Sequence, residues 1–147
     1  MKLASEADTV ALGVALGRRL RTGDVVALAG ELGAGKTTFA RGILRGLGFA
    51  GEVASPTFAI VQTYAPPDCR LPVAHVDLYR IEEHAELEQL ALAELRREGA
   101  MLIEWPERLG EALWPDALRL ALERGGKGRR ILTATVPTAW EGRWPPT

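Results

Sequence analysis

Cysteine is all but missing from this chain. Cys69 is the single thiol in 147 residues, so no intramolecular disulfide can form and no cysteine metal cluster can be built. Long apolar runs are missing as well. No stretch reaches the roughly 18 residues of a membrane span, and the N-terminus lacks the basic-then-apolar layout of a secretory signal, so the expected location is the cytoplasm. A basic surplus is also lacking: 18 lysines and arginines face 19 acidic residues, for a net charge of −1. A domain that gripped RNA or DNA unaided would carry a positive stripe, so strong direct binding is disfavoured and any RNA would be reached through a partner. Lysine is scarce at three residues against fifteen arginines, a skew that genome composition or heat adaptation would explain equally.

What is present fits an ordinary globular domain. Apolar residues make up 47% and charged residues 25%, which excludes disordered and fibrous classes. A chain of this length buries on the order of 70% of its unfolded surface and needs no staple. With no linker or repeat along the chain, one domain over 1–147 is expected.

The sharpest feature is Gly30-Glu31-Leu32-Gly33-Ala34-Gly35-Lys36-Thr37, which satisfies every fixed position of the Walker A pattern. Its context is right: the apolar run from Val25 to Ala29 reads as a buried strand, and Phe39, Ile43 and Leu47 recur at helical spacing after it. Glycines let successive amides turn inward on a polyphosphate, and the helix N-terminus adds partial positive charge. Lys36 would supply a full charge to the outer phosphates and Thr37 a hydroxyl to magnesium. A turn that merely linked strand to helix would need neither.

Elsewhere the pattern alternates. Ser5 with Asp8 predicts a helix start, and Val10, Val14, Leu16 and Leu20 an amphipathic helix ending before Gly23. Phe58 to Tyr64 and Val73 to Tyr79 read as strands; the short connection around Pro66-Pro67-Asp68 makes them an antiparallel hairpin. Glu82 to Arg97 reads as one helix, with Leu87, Leu90, Ala91 and Leu95 on a single side. Ala100 to Ile103 is a buried strand ending at Glu104; Pro106 opens a brief helix to about Trp114. Strands near Leu118–Leu122 and Ile131–Val136 flank a Gly125-Gly126-Lys127-Gly128 turn. The fold class is α/β, a P-loop NTPase-like three-layer sandwich with a mixed parallel and antiparallel central sheet.

A P-loop also needs an acid at the tip of a neighbouring strand to complete its magnesium site. Glu104, after Met101-Leu102-Ile103, has that form, and Asp77, after His75-Val76, is the other candidate. Either could equally be a capping or surface carboxylate. His75 reads as a packed strand residue and His84 as helix surface.

Four blocks in series then carry a resemblance: the P-loop through Thr38-Phe39, Ser55-Pro56-Thr57-Phe58, His75-Val76-Asp77-Leu78-Tyr79-Arg80, and Ile103-Glu104-Trp105-Pro106-Glu107. In order and spacing they resemble the TsaE (YjeE) family over nearly the whole chain. That resemblance implies a small bacterial ATPase that joins the TsaB and TsaD proteins to make threonylcarbamoyladenosine in tRNA. It implies a phosphate cradle of Gly33, Ala34, Gly35, Lys36, Thr37 and Thr38, magnesium held by Thr37 and Glu104, and catalytic roles for Lys36, Asp77 and Glu104. Asp77 would lie beside the γ-phosphate or its attacking water. Ser55-Pro56-Thr57 resembles a switch loop, though a Pro56 turn with a hydroxyl cap accounts for it equally. Trp105 is similar to a family tryptophan near the site, Arg129 to a family arginine that can approach the nucleotide, and the helix start around Glu6 and Thr9 would face the base. One departure is visible: Leu90-Ala91 stands where the family commonly has a glycine after leucine, tolerable if the backbone there is helical.

ATP with magnesium is therefore the expected ligand, and adenine follows from the resemblance rather than from any contact motif. The chain has no separate acceptor domain and no long insertion for a kinase lid, so water is the expected phosphoryl acceptor and hydrolysis would drive partner engagement. A small-molecule kinase and a non-hydrolysing nucleotide sensor share the same P-loop and stay open as alternatives.

Overall fold

A strand without a polar side chain is stable only when both of its faces are covered. Val25–Ala29 meets that condition as the fourth of the seven strands that the described residues form in a single sheet, with a parallel neighbour on either side. The computed structural model describes residues 1–31, 33–53 and 60–146. In chain order the strands are β1 (Lys2–Leu3), β2 (Val25–Ala29), β3 (Val61–Tyr64), β4 (Val73–Asp77), β5 (Ala100–Glu104), β6 (Leu118–Gly126) and β7 (Arg129–Thr135). The helices are α1 (Glu6–Gly17), α2 (Lys36–Gly46), α3 (His84–Gln89) and α4 (Leu92–Glu98). Across the sheet the order is β1-β7-β6-β2-β5-β4-β3. The sheet is mixed as expected: β2 runs parallel to β5 and β6, and β4 to β5, while β3–β4, β6–β7 and β1–β7 are antiparallel.

Alternation along β2 divides the core in two. Val26 and Leu28 join Leu16 of α1 and Phe39, Ile43 and Leu44 of α2, whereas Val25 and Ala27 join Val76, Ile103, Leu87 and Leu92 on the opposite face. That gives helix, sheet and helix layers. Ser5 caps α1 by accepting the Asp8 amide at 3.2 Å, and Asp8 accepts the Ala4 amide at 3.0 Å in return. Where α1 and α2 cross, Gly13 and Gly17 of one meet Gly42 and Gly46 of the other, so closely that a β-carbon on Gly42 would stand 2.5 Å from the Val10 carbonyl oxygen. The C-terminal end of α1 is closed by Arg70, whose guanidinium donates to the carbonyls of Gly17 at 2.9 Å and Leu20 at 3.0 Å.

Several elements depart from the sequence reading. β1 was not expected, because two residues are too short to show a period; its place comes from pairing with β7. β4 stops at Asp77 rather than Tyr79, since the Asp77 carboxylate takes the Tyr79 amide at 2.9 Å. Phe58 lies outside the described residues, and the described part of that strand is β3. The segment from Pro106 to Trp114 forms two 3₁₀ turns, Pro106–Arg108 and Gly110–Ala112, not an α-helix. The last hairpin closes on Lys127 and Gly128 alone, both with positive φ (49° and 78°), which lengthens both strands beyond expectation. After β7 the tail packs back: Trp140 is buried, and Arg143 lies over its ring while binding both Asp24 oxygens at 2.7 and 3.0 Å.

The single helix expected over Glu82–Arg97 is two helices broken at Ala91, which is left-handed with φ 52°. Leu87 and Leu92 are both buried against the sheet, and five residues apart they could not share one stripe of a continuous helix. The backbone at Ala91 is therefore not helical, and the residue meets a left-handed penalty that a glycine would avoid. Because Ala91 is exposed, Ala91→Gly is expected to raise stability by about 0.5–1 kcal/mol, the left-handed penalty of ~1–2 kcal/mol outweighing the entropy of the freer unfolded chain. Chemical denaturation measures this directly; a loss of about 1 kcal/mol would mean that the helix is continuous in solution.

Candidate nucleotide site

The parallel strands β2, β4 and β5 end side by side, with Glu104 registered against Leu28 on one side and Asp77 on the other. The turn after β2 needs the glycines where they stand: Gly30, Gly33 and Gly35 have φ of 149°, 79° and 103°, which side-chain-bearing residues rarely adopt. Gly35 caps α2, so the helix opens on Lys36 with the amides of its first turn facing the mouth of the strands.

Three charges are buried together at this mouth. Lys36 is 5% exposed, Asp77 7% and Glu104 3%. The Lys36 ammonium donates to the Gly30 carbonyl at 2.6 Å and lies 4.2 Å from the centre of the Trp105 ring. Burial lowers its pKa below 10.5, and the negative charges of Glu104, Asp77 and Glu107 offset that only in part. Trp105 sits left-handed at φ 58° immediately before Pro106, a conformation doubly disfavoured by its bulk and by the following proline. The strain turns its indole toward Lys36 and onto Tyr79, whose ring centre is 4.9 Å away. Backbone strain of this kind concentrates at functional sites.

The two strand-end acids are thus brought together with the P-loop lysine, and Thr37 is half-buried at the start of the same helix. Among the described residues no group of three or more His, Cys, Asp and Glu side chains forms a metal cage. Magnesium in a P-loop site draws on one hydroxyl, one carboxylate, water and phosphate oxygens, and the donors here match that set. Beyond Gly35 lies a cleft of about 360 Å³ lined by Ser5, Glu6, Thr9, Thr38, Lys127 and Arg130, which puts the start of α1 beside the loop.

Other side chains fall differently. Arg129 is exposed, and it is its neighbour Arg130 that reaches the loop, donating to the Gly33 carbonyl at 3.3 Å. Adjacent residues of a strand face opposite ways, so one residue of register decides which arginine arrives. Arg124 also reaches the Gly33 carbonyl, at 3.4 Å. Ser55, Pro56 and Thr57 lie outside the described residues. His75 carries more than packing: its Nε2 is 2.7 Å from Glu104 Oε2. The sequence held that signal only as a polar residue two places before Asp77 in an apolar strand. His84 is exposed on α3, as read. Cys69 is buried, its Sγ 3.1 Å from the Leu71 carbonyl oxygen; burial pushes the thiol pKa above 9.0, as befits an inert core residue.

A parallel-cored α/β sheet, a glycine loop feeding a helix, and acids at the adjoining strand tips define a protein of the P-loop class. The family profile described as "Threonylcarbamoyl adenosine biosynthesis protein TsaE" matches residues 3–132. The chain is 44% identical over 136 residues to the tRNA threonylcarbamoyladenosine biosynthesis protein TsaE of Streptomyces coelicolor, covering 90% of this chain and 91% of that one. It is 42% identical over 117 residues to the protein of the same name from Bacillus subtilis, covering 79% and 72%. The crystal structure of Bacillus subtilis YdiB superposes with a TM-score of 0.78 at 30% identity, over 97% of this chain and 88% of that one. The chain belongs to the TsaE family. No described helix is long and apolar enough to cross a membrane.

Proposed function

We propose that this protein binds ATP with magnesium and hydrolyses it slowly, and that it serves tRNA threonylcarbamoyladenosine synthesis by engaging a TsaB–TsaD complex. The observation that carries the reading is the burial of Lys36, Asp77 and Glu104 at one P-loop mouth. Burying three charges without a ligand is costly, and a polyphosphate with its cation would complement all three. The loop amides and Lys36 would bind the phosphates, Thr37 and Glu104 would hold the metal, and Asp77 would orient the attacking water. Magnesium, when bound, would neutralise charge on the β- and γ-phosphate oxygens. The cleft between the start of α1 and Thr38 would take the nucleoside. The near-neutral net charge favours reaching tRNA through partners rather than directly.

The test is phosphate release from ATP by the purified chain, alone and with TsaB and TsaD. The expected result is a slow rate alone, a rise of roughly 10³ to 10⁵ if the partners complete the charge-stabilising geometry, and loss of release in Glu104→Ala. A rate that ignores the partners would overturn the partner cycle, and label appearing on an added metabolite would establish a kinase instead.

A further inference from the structure

The Glu104 carboxylate is held by a histidine. His75 and Glu104 lie on the same face of the sheet: His75 is registered against Leu102, so Glu104 is its diagonal neighbour two residues along β5. The imidazole is fully buried, and the side chain of Glu104 is 5% exposed. An ionised carboxylate only accepts, so the 2.7 Å contact assigns the proton to Nε2, which donates to Oε2. Nδ1 is buried and has no hydrogen-bond partner among the described residues. As a bare lone pair it is the cheaper of the two possible orphans, which fits the Nε2–H tautomer.

This strand position invites an aliphatic residue. On its face of the strand pair Val73 and Leu102 are apolar and buried, and only toward the strand tips do Asp77 and Glu104 follow. Imidazole there leaves one ring nitrogen unsatisfied, and the other is spent on the Glu104 carboxylate. Among the described residues the imidazole is the one side-chain hydrogen-bond partner of Glu104. Fixing Oε2 removes rotation about the last carboxylate bond and leaves Oε1 as the oxygen to be offered at the strand tip.

We propose that His75 is a positioning residue, which locks the Glu104 carboxylate in the orientation that receives magnesium beside the P-loop. The inference rests on the ATP–magnesium reading of the site. Outer-shell partners of metal-binding carboxylates act in this way, and their removal costs roughly 10- to 100-fold in metal affinity.

The experiment measures the magnesium concentration that gives half of the ATP-dependent rise in melting temperature, in the native chain and in His75→Leu, His75→Asn and His75→Gln. The same proteins are titrated with a fluorescent ATP analogue in EDTA. Glutamine can place an amide nitrogen where Nε2 stands, whereas asparagine reaches only as far as Nδ1. The expected result is a 10- to 100-fold higher magnesium requirement in His75→Leu and His75→Asn, with metal-free nucleotide affinity within about twofold of native. His75→Gln should recover most of the loss. If His75→Leu does not fold, the asparagine and glutamine variants decide. A lowered melting temperature with an unchanged magnesium requirement, or no difference between asparagine and glutamine, overturns the proposal and leaves His75 a packing residue. A native chain whose stability ignores magnesium and ATP altogether overturns the nucleotide reading, and this proposal with it.

Discussion

Lys36→Met is expected to abolish stabilisation by ATP and magnesium and to lower phosphate release by at least about 100-fold, while the nucleotide-free protein stays at least as stable as the native chain. On the proposed reading the two effects separate, because the ammonium would serve the nucleotide while its burial opposes folding. Burial lowers its pKa below the ordinary 10.5, with Glu104, Asp77 and Glu107 only partly compensating. The folded state therefore binds the proton less tightly than the unfolded chain does. Below the lowered pKa that difference opposes folding in full, and stability rises as pH climbs from there through 10.5. Methionine keeps the stem against Trp105 and removes the charge, so this opposition disappears with it. Thermal melts with and without ATP and magnesium read both halves of the prediction. A large loss of nucleotide-free stability would show that the Gly30 and Trp105 contacts outweigh desolvation.

Gly17→Ala is expected to cost about 3 kcal/mol or more, a large fraction of a typical domain's ~5–15 kcal/mol. In an exposed helix the same change would gain about 0.5–1 kcal/mol. Here the added β-carbon would penetrate the Ile43 carbonyl oxygen of α2, a backbone atom that no rotamer change can move aside. The other three glycines of the crossing are equally confined: a β-carbon on Gly13 would stand 2.6 Å from the Phe39 carbonyl oxygen, and one on Gly46 would strike that of Val14. The helices would have to part, and α2 carries the P-loop at its N-terminus. ATP affinity should therefore fall along with stability. Ala11→Gly, at an exposed position of α1, supplies the contrast. It should cost only about 0.5–1 kcal/mol, so both exchanges destabilise although helix propensity assigns them opposite signs. Urea titration of the two variants is the measurement; a neutral Gly17→Ala would mean that the helices can separate freely.

Much of the site was legible in the residues. The Walker A block needs its own glycines, lysine and hydroxyl, and both strands bearing Asp77 and Glu104 are short apolar runs that end in an acid. Such features are local, and local chemistry shows in a string. Helix ends were legible for the same reason, as at Ser5, where the cap and its partner are three residues apart. The break at Ala91 was not, because burial of Leu87 and Leu92 against one sheet overrides the helical preference of the segment between them. The glycine pairs at 13 and 17 and at 42 and 46 stand in the sequence with the right spacing, but nothing there says that the two helices cross at those residues.

Neighbours along the chain are enough to specify a P-loop α/β protein of the TsaE family and to mark Lys36, Thr37, Asp77 and Glu104 as its candidate site residues. Tertiary structure alone decided that His75 meets Glu104, that Trp105 lies under Lys36, and that Arg130 rather than Arg129 turns to the loop. Those pairings join residues from different elements, and they are set by strand register and by the packing of separate layers. A diagonal contact across two strands, or the face on which an arginine emerges, changes with a shift of one residue that leaves the amino-acid order untouched.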